Sequence, residues 1–344
     1  MSAAGAAAAR ALAERLAIPG IDAVVPFAVP LTTRFRGVEE RHGLLLHGPH
    51  GWGEWSPFDE YDDTVAAIWL AAAIDAACTP PPPALRAQVP VNVTVPAVGP
   101  AEARAIVAAS GCATAKVKVA EPGQTLADDV DRVAAVRAAL VAEVGAEAHI
   151  RIDANAAWTV AEAVDALRAL EEAAGGLEYA EQPCATLDAL AEVRDRTGVR
   201  IAADEAIRRD HTDPTLVRDA VDVAVIKVQP SGGVTAALAL ARALALPVVV
   251  SSALETSVGL AAGVRLAAAL PTLEHACGLG TGLLLAGDVV ERPLAPVDGM
   301  LDVVRAQSVA TGPLTGESPW DGRRTEPDLD RVVRAWDRIR SAAV

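Results

Sequence analysis

The 344-residue chain has only four cysteines, Cys78, Cys112, Cys184 and Cys277, and none stands at the close spacings of zinc sites or secreted disulfide frameworks. That excludes a small disulfide-stapled module and points to reduced thiols. Positive charge is scarce as well, with 30 Lys and Arg against 45 Asp and Glu and a formal net charge of −15. Such a field repels phosphate backbones and anionic headgroups, so neither nucleic acid nor a membrane surface is an expected partner. The alanine-rich start carries Arg10, Glu14 and Arg15, and so lacks both the apolar core of a signal peptide and a membrane span. The expected location is the cytoplasm. There is no internal repeat beyond a strand–helix alternation and no low-complexity tract apart from alanine bias. What the chain does have is core-forming material, since 52% of it is hydrophobic, enough for one large domain and a smaller one.

From about Val89 to Cys277, short β-rich runs alternate with longer helical stretches, the pattern of a parallel sheet wound by helices. Strands are expected at Val91 to Val95, Ala115 to Val119, His149 to Asp153, Leu177 to Glu181, Val199 to Asp204, Val223 to Val228 and Val248 to Ser251, with a weaker one near Thr272 to His275. Seven or eight strands, each followed by a helix-length segment, fit a closed α/β barrel better than an open sheet. Thr159 stands three before Glu162, a capping-box spacing, and Gly175-Gly176 supplies a stop to the helix between. Ahead of the barrel, Phe27 to Ser56 reads as short strands and Tyr61 to Ala77 as a helix. Together they form a small α+β domain, and the stiff run Pro80 to Pro83 leads out of it. The amphipathic segment Asp328 to Ile339 is expected to pack back onto something already folded.

Catalytic groups in such barrels sit at the C-terminal ends of strands. Asp153, Glu181 and Asp204 each close one of three consecutive expected strands, so three carboxylates reach one rim. One strand-end acid is ordinarily just solvated, but three in succession repel one another unless a cation sits between them. All-oxygen ligation suits Mg²⁺. Lys116 and Lys118 lie two apart, so strand geometry points both into the barrel, and Lys227 sits in an otherwise apolar strand. Pairing with the carboxylates would explain their burial but not why cations bracket the acids from both sides. Desolvation, neighbouring ammonium groups and a metal all push towards a neutral amine, which a base requires. These parts suit abstraction of a proton next to a carboxylate. A divalent ion stabilises the enediolate as it forms, and a lysine removes the proton.

Lys116-Val-Lys118, Asp153-Ala-Asn155, Glu181-Gln-Pro183, Asp204-Glu205 and Lys227, in this order and at these separations, resemble the enolase superfamily, specifically its muconate-lactonising subgroup. Gly51-Trp52-Gly53-Glu54 and the returning C-terminus look like that family's capping domain, so the resemblance covers nearly the whole chain. It implies a (β/α)7β-type modified TIM barrel over residues 87–299 with an α+β capping domain over residues 1–86, completed by residues 300–344. It also implies Mg²⁺, with Mn²⁺ able to substitute, on Asp153, Glu181 and Asp204, with Asn155 and Glu205 behind them and Lys118 as the principal base. Within the subgroup, Ser251 to Ser257 and Arg151-Ile-Asp153-Ala-Asn155 are similar to the o-succinylbenzoate synthases, dehydratases of a cyclohexadiene carboxylate in menaquinone synthesis. That similarity implies that Lys118 takes the α-proton and returns it to the departing hydroxyl while Lys227 stays cationic.

Racemases and epimerases of the same subgroup keep both lysines, so racemisation of an N-acylamino acid or epimerisation of a dipeptide is the alternative. A catalytically idle barrel that binds a small molecule is the second. The expected partner is a small-molecule carboxylate, and the oligomeric state is left open. Arg151 is expected in a buried ion pair ahead of substrate contact. Ser251 and Ser252 are candidate substrate-binding groups, with helix capping nearly as good an account. His149 and His275 are expected in the core or behind the ligands. Trp52, Trp55 and Phe58 are expected in a loop, packing by default and able to cover an apolar ring.

Overall fold

A computed structural model describes residues 3–35, 37–208, 213–315 and 325–342. After helix α1 (Ala3–Leu16), the chain forms an antiparallel sheet of β1 (Ala23–Phe35), β2 (Val38–Gly48) and β3 (Gly51–Trp55), followed by α2 (Asp63–Cys78). The Asp62 carboxylate starts α2 by accepting from the amides of Thr64 and Val65. β3 lies against α2 so closely that a methyl group at Gly53 would stand 2.0 Å from the Ala73 carbonyl oxygen, so the contact needs glycine. Trp52 and Trp55 belong to β3 rather than to a loop, and both are buried. Their indole N–H groups donate to the carbonyls of Gly312 and Ala66, at 3.1 and 3.0 Å. These two rings therefore pack the interior, and Phe58 alone of the three aromatic candidates reaches the mouth of the barrel.

β4 (Gln88–Pro90) precedes seven parallel strands that alternate with helices. These are β5 (Val93–Val95), α3 (Pro100–Ala108), β6 (Thr114–Lys118), α4 (Leu126–Val144), β7 (His149–Asp153), α5 (Val160–Ala174), β8 (Tyr179–Glu181), α6 (Leu187–Thr197) and β9 (Ile201–Ala203). The series continues through α7 (Glu205–Arg208), α8 (Pro214–Ala220), β10 (Val223–Lys227), α9 (Val234–Leu244), β11 (Val248–Ser251) and α10 (Ser257–Ala269). Neighbours in sequence are neighbours in the sheet throughout, from β5 to β11. Cys277 and Gly278 close it, bridging in parallel to Val91 before β5 and to Ser251 on β11. The eighth stave therefore follows His275 instead of spanning Thr272 to His275, and it is too short to leave a strand pattern in the sequence. Period-two alternation sorts the side chains. Ala115, Val117, Ile150, Ile152, Ala224 and Ile226 face the helices, while Tyr179, Ala202, Val223, Val225 and Val249 form a cluster within the barrel. The capping box is present on α5, with Thr159 and Glu162 exchanging hydrogen bonds and Gly175 ending the helix in the left-handed region.

β12 (Met300–Asp302) pairs with β4, α11 (Val303–Thr311) packs on α10, and α12 (Thr325–Ala342) returns to α2. Leu329, Val332 and Ala335 of α12 share a core with Leu16, Val24, Leu46, Trp69 and Leu70. Burial of that apolar face, and not helix propensity alone, holds the last helix in place. No described helix is long and apolar enough to cross a membrane.

Candidate active site

Lys118, Asp153 and Glu181 occupy one rung of the β6–β7–β8 ladder, since each is the direct partner of the next. Asp204 follows β9, and Lys227 ends β10 opposite Ser251. β6 and β10 are four staves apart in an eight-stave barrel, so Lys118 and Lys227 face each other across the mouth with the carboxylates on the strands between. Each carboxylate is turned onto a lysine. Lys116 Nζ donates to both Glu181 oxygens at 2.9 and 3.0 Å, Lys118 Nζ to Asp153 Oδ2 and, at 2.7 Å, to Asn155 Oδ1, and Lys227 Nζ to Asp204 Oδ2 at 2.6 Å. Behind them Asn155 Nδ2 donates to Glu205 Oε1 at 3.2 Å, and Asn155 N donates to Asp153 Oδ1. Gln182, seen in the sequence only as part of a motif, holds Asp204 in place. Its side-chain oxygen accepts from the amides of Asp204 and Ala206 at 2.9 and 3.2 Å. Asn155 and Gln182 both sit at positive φ, 47° and 40°, where the chain turns sharply off the rim.

All three carboxylates are 1% exposed. Burial, with the charge of Asp153, pushes Glu181 up to about 7 against the pull of Lys116. Burial alone would lower Lys116, but Glu181 and Asp153 outweigh it and hold the ammonium above the ordinary lysine range. Desolvation here loses to two carboxylates in direct contact. Among the described residues, no three acidic, histidine or cysteine side chains are already gathered as metal ligands, since each carboxylate is drawn to an ammonium group. The donor set still fits a hard divalent cation. It is all oxygen and buried, it sits on successive strand ends, and burial together with the neighbouring Asp153 carboxylate raises Glu181.

The floor of the barrel carries a separate ion pair. Arg151, fully buried two residues before Asp153, donates to Glu178, to Asn92 Oδ1 at 3.1 Å and to the Ala276 carbonyl at 2.7 Å, with its guanidinium 4.8 Å from the Tyr179 ring. It does not line the mouth cavity. His275 is buried and its Nδ1 meets Glu178 Oε1 at 2.7 Å, whereas His149 is exposed rather than in the core, because β7 begins at the surface. Burial would raise Glu178, but His275 and Arg151 hold it down to about 2 from the ordinary 4.5. A depressed carboxylate stabilises the fold fully above its unfolded pKa and loses that contribution as pH falls through the folded one. The window here runs from about 4.5 down to about 2, and the contribution is on the order of 3 kcal/mol. Glu178→Gln is therefore expected to lower the urea midpoint at pH 7 and to converge on the wild type as pH falls below 4.5. A deficit that stays constant between pH 7 and pH 3 would contradict this account of the ion pair.

The mouth is a cavity open to solvent, with about 500 Å³ of empty space when the solvent at its entrance is counted. Lys116, Lys118, Asp153, Asn155 and Lys227 line one side, and Ser251, Ser252, Ala253, Leu254, Phe58, Thr94 and Thr281 line the rest. The cavity therefore joins the lysines to the serine segment. Ser252 Oγ lies 2.5 Å from Thr281 Oγ1 and accepts from the Leu254 amide, while Ser251 Oγ donates to the Gly278 carbonyl at 3.4 Å. Neither serine caps α10, whose N-cap is Thr256. Thr94 and Thr281 went unnoticed in the sequence. Thr94 alternates with Val93 and Val95, a weak pointer inward, and Thr281 lies in a short 3-10 helix, Gly280–Leu284, with no periodic signal.

Comparison with known proteins places this geometry in a family. Residues 100–308 match the family described as Enolase C-terminal domain-like, and residues 26–77 match Enolase N-terminal domain-like. The chain is 60% identical over 315 residues to the o-succinylbenzoate synthase of Thermobifida fusca, covering 91% of this chain and 96% of that one. The chain belongs to the o-succinylbenzoate synthases of the enolase superfamily. The o-succinylbenzoate synthase of Mycobacterium tuberculosis is 53% identical over 287 residues, 83% of this chain and 85% of its own. Among solved structures, the dipeptide epimerase from Enterococcus faecalis V583 complexed with Mg and the dipeptide L-Leu-L-Tyr aligns with a TM-score of 0.67. It covers 85% of this chain and 97% of its own at 23% identity, which supports the barrel and its small partner layer as the fold of this synthase family member.

Proposed function

We propose that this o-succinylbenzoate synthase family member performs the Mg²⁺-dependent syn dehydration of 2-succinyl-6-hydroxy-2,4-cyclohexadiene-1-carboxylate in menaquinone synthesis, in the cytoplasm. The observation that carries this reading is 60% identity over 91% of the chain to a protein of that name. Asp153, Glu181 and Asp204 would hold the ion, with Mn²⁺ able to replace it, and Asn155 and Glu205 orient those ligands. A bound divalent cation supplies neutralisation of the negative charge that builds on the substrate carboxylate as its α-proton leaves.

The chain's own residues do the rest. Lys118 lines the cavity beside Asp153, one of the residues that would hold the ion, and it takes the α-proton. The C–O bond then breaks on the same face, the ring becomes aromatic, and Lys118 returns its proton to the departing hydroxyl as water forms. Lys227, on the opposite wall, remains an ammonium group and faces the charge that develops on the ring side. Lys116, engaged by both Glu181 oxygens, keeps that ligand in place through its positive charge. Ser251 and Ser252 stand where a substrate carboxylate can be bound, and burial of the ring excludes water from the elimination.

The facing lysines also favour a second reading, in which each serves one face of a stereocentre, as a racemase or epimerase requires. Genetic complementation separates the two. Expression of the chain is expected to restore menaquinone-dependent growth to a bacterium deleted for its own o-succinylbenzoate synthase. Stable expression without any rescue would count against the dehydratase.

A further inference from the structure

Arg41 on β2 and Glu54 on β3 are only 2% and 3% exposed, and neither lines the cavity. Both nevertheless end on the loop between β11 and α10, residues 252–256, which supplies one wall of it. Glu54 acts as a remote cap of α10. Its carboxylate accepts from the amides of Thr256 and Gly259, both at 3.1 Å, and from the Thr256 hydroxyl at 2.6 Å. The approach depends on Gly259, where a Cβ would stand 2.9 Å from Glu54 Oε2. Ser56 Oγ, also on the small-layer side, donates to Glu54 Oε1 at 2.7 Å.

Arg41 joins the two walls directly. Its Nε donates to the Leu254 carbonyl at 3.2 Å and its Nη2 to the Ser56 carbonyl, while its guanidinium carbon lies 4.2 Å from the centre of the Phe58 ring. Leu254 and Phe58 both line the cavity. Leu254 is held at φ 67°, a conformation that costs a bulky residue free energy and persists only where its surroundings enforce it. A planar guanidinium can bridge two carbonyls and stack on a ring at once, and an ammonium group cannot. Neither residue contacts Lys118, Asp153 or Lys227 in any hydrogen bond or ion pair described above.

We propose that Arg41 and Glu54 are positioning residues that set substrate selectivity by locking the 252–256 wall against Phe58. They govern how tightly and how discriminatingly the ring-bearing carboxylate is held, and proton abstraction stays with Lys118. The kinetic half of this inference rests on the dehydratase reading, and the backbone half does not.

The test compares Arg41→Lys, Arg41→Met and Glu54→Gln with the wild type by hydrogen–deuterium exchange and by steady-state kinetics on the cyclohexadiene carboxylate. Amides 252–259 are expected to exchange at least about tenfold faster in both Arg41 variants, with β6 to β9 unchanged. KM is expected to rise about 10- to 100-fold while kcat stays within about threefold, as misplacement of a binding wall predicts. Arg41→Lys should fail to rescue, and Glu54→Gln, which keeps the shape and one acceptor, should show the smaller rise. If Arg41→Met does not fold, the two conservative variants carry the comparison. Unchanged exchange of residues 252–259 in every variant overturns the proposal whether or not the diene is the substrate. Faster exchange with a fall in kcat at constant KM overturns it too, since that is the mark of lost folded enzyme. A wild type inert towards the diene defeats the dehydratase reading while the exchange result still decides the role of Arg41 and Glu54.

Discussion

Replacing Lys118 with alanine is expected to lower kcat for dehydration by at least about 10²- to 10⁴-fold, the range for loss of a positioned general base. The fold should be intact, because Lys118 is an end-of-strand residue whose removal leaves the β6–β7 backbone ladder in place. Lys227 separates the readings. Lys227→Arg keeps a cation beside Asp204, so it should retain part of the activity, and Lys227→Ala, which leaves Asp204 buried without its 2.6 Å partner, should be worse. A two-base enzyme predicts otherwise, since an arginine does not give up its proton and Lys227→Arg would be as inactive as Lys118→Ala. Rates of both variants, measured with circular dichroism as a check on folding, decide between these outcomes.

Removal of divalent metal is the second large effect. EDTA is expected to reduce turnover to background, and Mg²⁺ or Mn²⁺ to restore it, because an all-carboxylate donor set selects hard cations. Asp204→Asn removes one buried charge with little change of shape, and should weaken metal affinity by at least about tenfold, no less than the loss of a residue behind a ligand costs. Full turnover in metal-free protein, or unchanged affinity of Asp204→Asn by titration calorimetry, would remove the metal from the account.

Much of this site was legible because strand ends are legible. Asp153 closes a strand in the sequence and in the fold, and the same period-two geometry put Lys116 and Lys118 on one inward face. Composition carries a further signal. The chain has only three lysines, all of them in this site, and the other 27 of its 30 Lys and Arg residues are arginine.

What was not legible depends on contacts distant in sequence. The protonation of Lys116 is set by Glu181, 65 residues away, and although Arg151 was expected in a buried ion pair, nothing local named Glu178 or the Ala276 carbonyl as its partners. Arg41 and Glu54 carry no local sign that they reach Leu254 and Thr256, more than 200 residues on. The eighth stave, reduced to two bridging residues, has no periodicity to read.

The central claim is that this cavity dehydrates a cyclohexadiene carboxylate faster than it inverts a stereocentre. One preparation of the wild-type protein with saturating Mg²⁺ tests it, by comparing loss of diene absorbance with the optical-rotation decay of an N-acylamino acid. The account predicts that diene loss is the faster process, that it stops on addition of EDTA, and that it yields the aromatic succinyl product. Racemisation that outpaces diene loss in that same preparation would contradict it.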